Sequence, residues 1–279
     1  MSKKGALTLP KAILYLIVCL VLFFLIVPNL IVVPISFNES SLLLFPPKGF
    51  SLQWYSRYWE MPGWVDATVT SLVVATMTAI VSLVIGGLAA YGLVRGRPTG
   101  GKALNSLLML PMIIPSLVTA IALFNVLSYL RLTGTLAGFV IGHTVVALPF
   151  VVTIMSASLR SIDLSVENAA RNLGASRLMT IWRVTLPMAI PGLISSGLFA
   201  FLISFDELLI ALFISSPTVA TLPKKLWDGI RFEIEPTLAA VSTLLVMLSL
   251  FILAMAGVVQ LVWRKCGNRR RTQNPRTAA

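Results

Sequence analysis

From residue 67 to residue 94 the chain carries no charged side chain, and a second uncharged run covers residues 103–130. About 20 mostly apolar residues are enough for a helix to cross the hydrocarbon core of a bilayer. Only 11% of all residues are charged, against about 25% in an average soluble domain, too few to cover a water-facing surface of this size. Lipid is the remaining solvent. No alternation of period two, as a barrel strand needs, runs through these segments. The expected fold is an all-α membrane protein with six transmembrane helices, at about 11–35, 64–94, 103–130, 132–159, 190–215 and 237–263. The N-terminus has the basic start and apolar core of a secretory signal, but its apolar run exceeds the usual length and no small-residue cleavage site follows. It reads as a retained first helix.

The net charge of +12 invites a nucleic-acid reading. Its distribution along six spans argues for topology instead. With both termini in the cytoplasm, the inside segments hold Lys3, Lys4, Lys11, Arg95, Arg97, Lys102, Arg160, Arg171, Arg177, Arg183, Arg264, Lys265, Arg269, Arg270, Arg271 and Arg276. The outside segments hold Lys48, Arg57, Arg131, Lys224, Lys225 and Arg231, which completes the 22 basic residues. Cytoplasmic loops carry such an excess of Lys and Arg, and those charges rest at anionic lipid headgroups. The partner implied is membrane lipid, with no nucleic acid. Trp54, Tyr55, Tyr58, Trp59 and Trp64 cluster in the first outside segment and suggest a short interfacial helix. The last outside loop mixes Asp228, Glu233 and Glu235 with Lys224, Lys225 and Arg231, a patch that suits protein docking or simple solvation.

Small residues recur at helical spacing in two spans, as Ser82-xxx-Gly86-xxx-Ala90 and Gly192-xxx-Ser196-xxx-Ala200. In lipid such faces let helix backbones approach closely. Pro111, Pro115, Pro149 and Pro191 fall within or at the ends of spans, where kinks are tolerated when neighbours satisfy the freed carbonyls.

Catalytic chemistry is not expected. Residues 96–103 match the G-x-x-x-x-G-K phosphate loop, but Ala103 replaces the Ser or Thr that holds Mg²⁺, and no strand precedes it. His143 is the only histidine and reads as a hydrogen-bonded packing residue or a proton relay. Cys19 and Cys266 have no metal-like spacing.

The longest inside segment contains two short amphipathic helices around a glycine. Asp163 or Ser165 can cap the first, with Leu164, Ala169 and Leu173 as its apolar face. Gly174 suits the left-handed position after it. Ser176 can cap the second, which carries Met179, Ile181 and Trp182, and Pro187 leads into the fifth span. This segment resembles the EAA loop of ABC-importer permeases, a pattern of E-A-A, three residues, Gly, and later an apolar run ending in Leu-Pro. Ala169, Ala170, Gly174, Leu186 and Pro187 match it. Asn168 stands where the motif has its acid, and Glu167 lies just before. The stretches "SFDELLIALFISSP" and "TLPKKLWDGIRFEIEPTLAAVSTLL" are most similar to spermidine/putrescine-type permeases.

The resemblance implies a type I importer permease fold at the inner membrane, with a cytoplasmic coupling-helix loop at about 160–187. Residues 1–63 would form the first helix and an outer interfacial segment, 64–263 the five-helix core, and 264–279 a basic tail. It implies an ATPase subunit dimer docked on the loop, a second permease subunit, usually related but different in sequence, and a periplasmic solute-binding protein. No cofactor is implied for this chain; ATP and Mg²⁺ belong to the ATPase subunits. Polyamine is the first substrate class, with amino-acid-derived or opine-like solutes as the alternative. An ATPase-independent secondary transporter is the competing class, against which stands the absence of a visible inverted repeat.

Apart from Asp66 at the very start of the second, Asp206 and Glu207 are the acids placed inside an expected span, the fifth. Ionised carboxylates in a membrane interior are costly and usually face a cavity or a partner. Adjacent helical residues point about 100° apart, so the two are not expected to share one role. At least one is a candidate for lining a pathway and attracting a cationic substrate.

Overall fold

A computed structural model describes residues 9–96, 98–232 and 235–272. Lys3, Lys4, Arg97, Glu233 and Arg276 lie outside the described residues, as do the side chains of Arg264, Lys265, Cys266 and Arg269–Arg271. Among the described residues twelve α-helices follow one another: α1 (Leu9–Ser36), α2 (Gln53–Glu60), α3 (Trp64–Tyr91), α4 (Gly101–Ile113), α5 (Ser116–Tyr129), α6 (Leu136–Arg160), α7 (Leu164–Asn172), α8 (Arg177–Thr180), α9 (Leu186–Phe205), α10 (Leu209–Ile214), α11 (Leu222–Phe232) and α12 (Pro236–Thr272). Two π turns, Gly92–Gly96 and Ile181–Thr185, extend α3 and join α8 to α9. The only β pairing among the described residues is one isolated bridge, Asn38 to Phe50.

Among the described residues, four helices are long and apolar enough to cross a membrane, over Ile13–Ser36, Trp64–Gly96, Leu136–Arg160 and Arg177–Phe205. The expected third span is not one straight helix. It is α4 and α5, bent by 103°. The break falls at Pro115, whose ring disfavours the helical conformation at the residue before it; Ile114 is extended, with φ −72° and ψ 135°. If this bent pair is one crossing there are five, and a shorter apolar helix follows over Pro236–Phe251.

The expected fifth span also differs. Its helix begins much earlier, at Arg177, and ends at Phe205 rather than Ser215. Asp206 and Glu207 therefore sit at a break, followed by the six-residue α10.

The chain divides into two compact units. One comprises residues 1–62 with 228–250. In it, Trp54 and Tyr58 of α2 are buried and Trp59 is widely exposed. The aromatic cluster is thus partly a core: the Trp54 indole donates to the Asn38 carbonyl at 2.6 Å, and Tyr55 bonds Ser36 at 2.7 Å. Arg57 pairs with Glu235 at 3.0 Å, so this acid of the mixed patch is engaged with α2.

The other unit comprises residues 63–227 with 251–279. Its centre is the mutual packing of α3, α6 and α9. Both small-residue faces are buried here: Ser82, Gly86 and Ala90 of α3, and Gly192, Ser196 and Ala200 of α9. The contacts explain the residue choice. A Cβ placed on Gly86 would stand 2.7 Å from the Val151 methyl of α6, and one on Gly197 2.9 Å from Leu83 of α3. One on Gly192 would collide with Ser158 of α6. Backbone proximity replaces side-chain bulk, which gives the dispersion contacts on which helix association in lipid rests. A second cluster joins Val74, Ala120, Leu127 and Phe139 to Ile210, Ala211 and Ile214 of α10.

Gly87 neighbours Gly86 but has nothing within 4 Å of a built Cβ. Gly86→Val is expected to destabilise the folded chain by about 1–3 kcal/mol through overpacking, and Gly87→Val to leave it unchanged or slightly better. Thermal unfolding of both variants in detergent checks this; equal Tm values for the two would contradict the packing account.

Candidate functional site

The segment between α6 and α9 forms a compact knob. Asp163 caps α7: its carboxylate accepts from the Ser165 N–H at 2.9 Å. That bond to the charged form holds the Asp163 carboxyl below its ordinary value. Ser176 caps α8 by accepting from the Met179 N–H at 3.2 Å. Between them Gly174 has φ +90°. The Gly174 N–H donates to the Arg171 carbonyl at 3.0 Å and the Ala175 N–H to the Ala170 carbonyl at 3.1 Å, the paired bonds of a Schellman ending. The expected caps and the glycine turn are all in place.

The second helix is not a separate short one. α8 passes through the π turn into α9, so helix runs unbroken from Arg177 to Phe205. Pro187, at the start of α9, accounts for the widened turn. It lacks an N–H, and its ring would strike the carbonyl four residues back in a regular α-helix. The ladder relaxes to five-residue spacing, with the Leu186 N–H donating to the Ile181 carbonyl.

The apolar face expected for α7 does not turn inward. Leu164 and Leu173 are exposed, Leu173 at 90%, and Ala169 is exposed as well. The buried side chain of α7 is Glu167. Its carboxylate accepts from the Arg95 Nε–H at 3.0 Å, and both side chains are less than a tenth exposed. A second Arg95 nitrogen donates to the Ile162 carbonyl at 2.9 Å. The physical reason is that α7 hangs beneath the helix ends and has only one residue over the core, where a charge must be paired. Asn168, at the motif's acid position, faces outward with Ala169. Asn168, Arg171, Asn172, Ala175, Ser176 and Arg177 line an open cleft of about 580 Å³. In the sequence Arg95 stands out only as a topology charge; the one hint of its role is an acid beside, not at, the motif position.

Asp206 and Glu207 have separate surroundings, in keeping with their adjacency. Glu207 accepts from the Ile210 N–H at 3.1 Å and so caps α10. Asp206 closes α9, donating its N–H to the Leu202 carbonyl at 3.1 Å, and its side chain is exposed. His143, buried in α6, bonds Ser204 at 2.8 Å and stacks edge-on against Phe139. That bond ties α6 to the end of α9, and the other ring nitrogen, Nε2, is buried without a hydrogen-bond partner. The 96–103 segment starts at the last residue of a π turn and ends within the first turn of α4, the wrong setting for a phosphate loop, which follows a strand.

Residues 82–265 match the family described as binding-protein-dependent transport system inner membrane component. The chain is 30% identical to the spermidine/putrescine transport system permease protein PotC of Haemophilus influenzae, over 87% of this chain and 93% of that protein. It is 33% identical to the putrescine transport system permease protein PotI of Escherichia coli, over 80% of this chain and 81% of that protein. Among solved structures, a bacterial ABC transporter involved in import of the acidic polysaccharide alginate aligns with a TM-score of 0.71 at 18% identity, covering 92% of this chain and 99% of that one. The MetNI methionine ABC transporter aligns with a TM-score of 0.60 at 18% identity, over 70% of this chain and 93% of that one. The helical fold with its glycine-turned loop thus has a family, and the chain belongs to the inner membrane components of binding-protein-dependent transport systems, as an ABC importer permease subunit.

Proposed function

We propose that this permease subunit carries polyamines of the putrescine and spermidine class inward across the bacterial inner membrane, driven by ATP hydrolysed on partner subunits. The observation that carries the substrate class is the likeness to spermidine/putrescine and putrescine permeases over 80–87% of the chain. In this reading the bent α4–α5 pair is one crossing and α12 the sixth, with both termini and the α7–α8 knob in the cytoplasm. A second, related permease subunit completes the pathway, and a periplasmic binding protein delivers the solute.

The chain itself breaks no bonds. ATP and Mg²⁺ bind the ATPase dimer, which seats on the knob around Asn168, Ala169, Ala170 and Gly174. Closure of that dimer moves the knob, and with it α9 by direct helical continuity through Leu186 and Pro187. The permease then exchanges an inward-open for an outward-open arrangement, a rigid-body transition of the kind packed interfaces support. Transport requires that the two states differ in affinity and exposure of one site. Asp206 is the pathway residue: an exposed carboxylate at a helix break attracts an ammonium group. Glu207 is engaged in capping α10 and has a structural part.

Three outcomes test the reading. In cells carrying the whole transport operon, deletion of this chain is expected to abolish uptake of labelled putrescine and spermidine. Intact cells that take up neither would move the substrate to amino-acid-derived solutes. Asp206→Asn is expected to lower polyamine uptake about tenfold, the worth of one charged hydrogen bond, while Glu207→Gln, whose amide oxygen can still accept from Ile210, keeps uptake near wild type. Equal uptake in both variants and wild type would sink the pathway assignment. At Gly174, Val cannot adopt the left-handed turn cheaply, whereas Asn can; nothing crowds the position otherwise. Co-purification of the ATPase subunit should be lost with Gly174→Val and kept with Gly174→Asn.

A further inference from the structure

The knob is attached to the helix bundle by its two ends and one buried side chain. α7 joins α6 through the short turn Ser161–Asp163 and joins α8 through the Gly174 turn. Most of its side chains are exposed, including the apolar Leu164 and Val166, and Glu167 is the buried one. A nine-residue helix with its apolar side chains facing out gains little from burial against its own bundle. Its orientation therefore depends on what Glu167 touches, which is Arg95 in the π turn at the end of α3.

Arg95 is a three-way fastener. Its Nε–H holds the α7 carboxylate, and its terminal nitrogen holds the Ile162 carbonyl in the turn that follows α6. One planar guanidinium thus bridges the ends of α3, α6 and α7. Fixed donor geometry suits it to hold angles as well as distances, which a flexible ammonium does not. α9 needs no such device, since α8 runs into it as continuous helix. α3 and α7, by contrast, have no short covalent link, with residues 97–163 between them.

We infer that Arg95 and Glu167 are the positioning pair that makes α7 rigid with α3 and α6, so that force received by the knob turns the bundle instead of only swinging α7. This rests on the importer reading above. Loss of the pair should leave docking intact, because Asn168, Arg171, Leu173 and the Gly174 turn are untouched, and should lower the uptake obtained per ATP hydrolysed.

The test uses the full complex purified with its partner subunits and placed in vesicles with the binding protein. Arg95→Gln and Glu167→Gln are compared with wild type for ATPase co-purification, ATP hydrolysis and solute uptake. The expected result is normal co-purification, continued hydrolysis, and uptake per ATP reduced about tenfold, within the span of ordinary coupling energies. Arg95→Lys, which keeps the charge but loses the fork, should fall between. The double variant Arg95→Gln with Glu167→Gln should be no worse than the worse single one, because the two act as a unit. Unchanged uptake per ATP in the single variants overturns the proposal. So does loss of co-purification in parallel with uptake, which would make the pair a shaper of the docking surface. If the wild-type chain retains no ATPase subunit, the importer reading fails instead.

Discussion

The close approach of α3, α6 and α9 is the constraint on which the remaining structure depends. Lipid offers no hydrophobic force to drive one apolar helix onto another, so contact must come from shape. Gly86 against Val151, Gly197 against Leu83 and Gly192 against Ser158 bring the backbones together where any larger residue would hold them apart. Once these three axes are set, their ends fix where Arg95, Ile162 and the start of α8 converge. The knob follows from that convergence. The second cluster, in which Gly142 admits Ile210 of α10, sets the position of the break at Asp206 by the same principle.

Much of this is legible in the sequence because small residues at four-residue spacing in an apolar helix serve chiefly to admit a neighbouring backbone. The faces Ser82–Gly86–Ala90 and Gly192–Ser196–Ala200 are readable as contact surfaces without knowing their partners. Caps are legible for a similar reason: Asp163 and Ser176 precede short amphipathic segments, and Gly174 follows one. The breaks are harder. Pro115 and Pro149 look alike in the sequence, yet α6 continues as helix through Pro149 while the chain turns by 103° at the break before Pro115. Tertiary packing decides which proline is absorbed. Hydropathy alone also continues the fifth crossing through Asp206, because apolar Leu209–Ile214 resumes soon after it.

At the candidate site the sequence shows which residues matter better than it shows what they touch. Glu167 and Asn168 are neighbours, and the motif pattern assigns significance to position 168. Burial assigns it to 167, since the two point in different directions from one short helix. The partner, Arg95, lies 72 residues away and is hidden by its membership in a large set of basic residues at helix ends. The acidic pair gives the same lesson. Glu207 spends its carboxylate on an orphan amide of α10, which leaves Asp206 as the acid that faces out.

The unbroken helix from Arg177 to Phe205 has one further consequence. Its 29 residues correspond to an axle about 43 Å long, with the knob at one end and the carboxylate of Asp206 at the other. Its hydrogen-bond ladder is irregular at two places, the π turn at Ile181–Thr185 and Pro191, which has no N–H to donate. In the coupling proposed above, a rotation at Ser176 would reach Asp206 through this helix as a change of heading of that carboxylate.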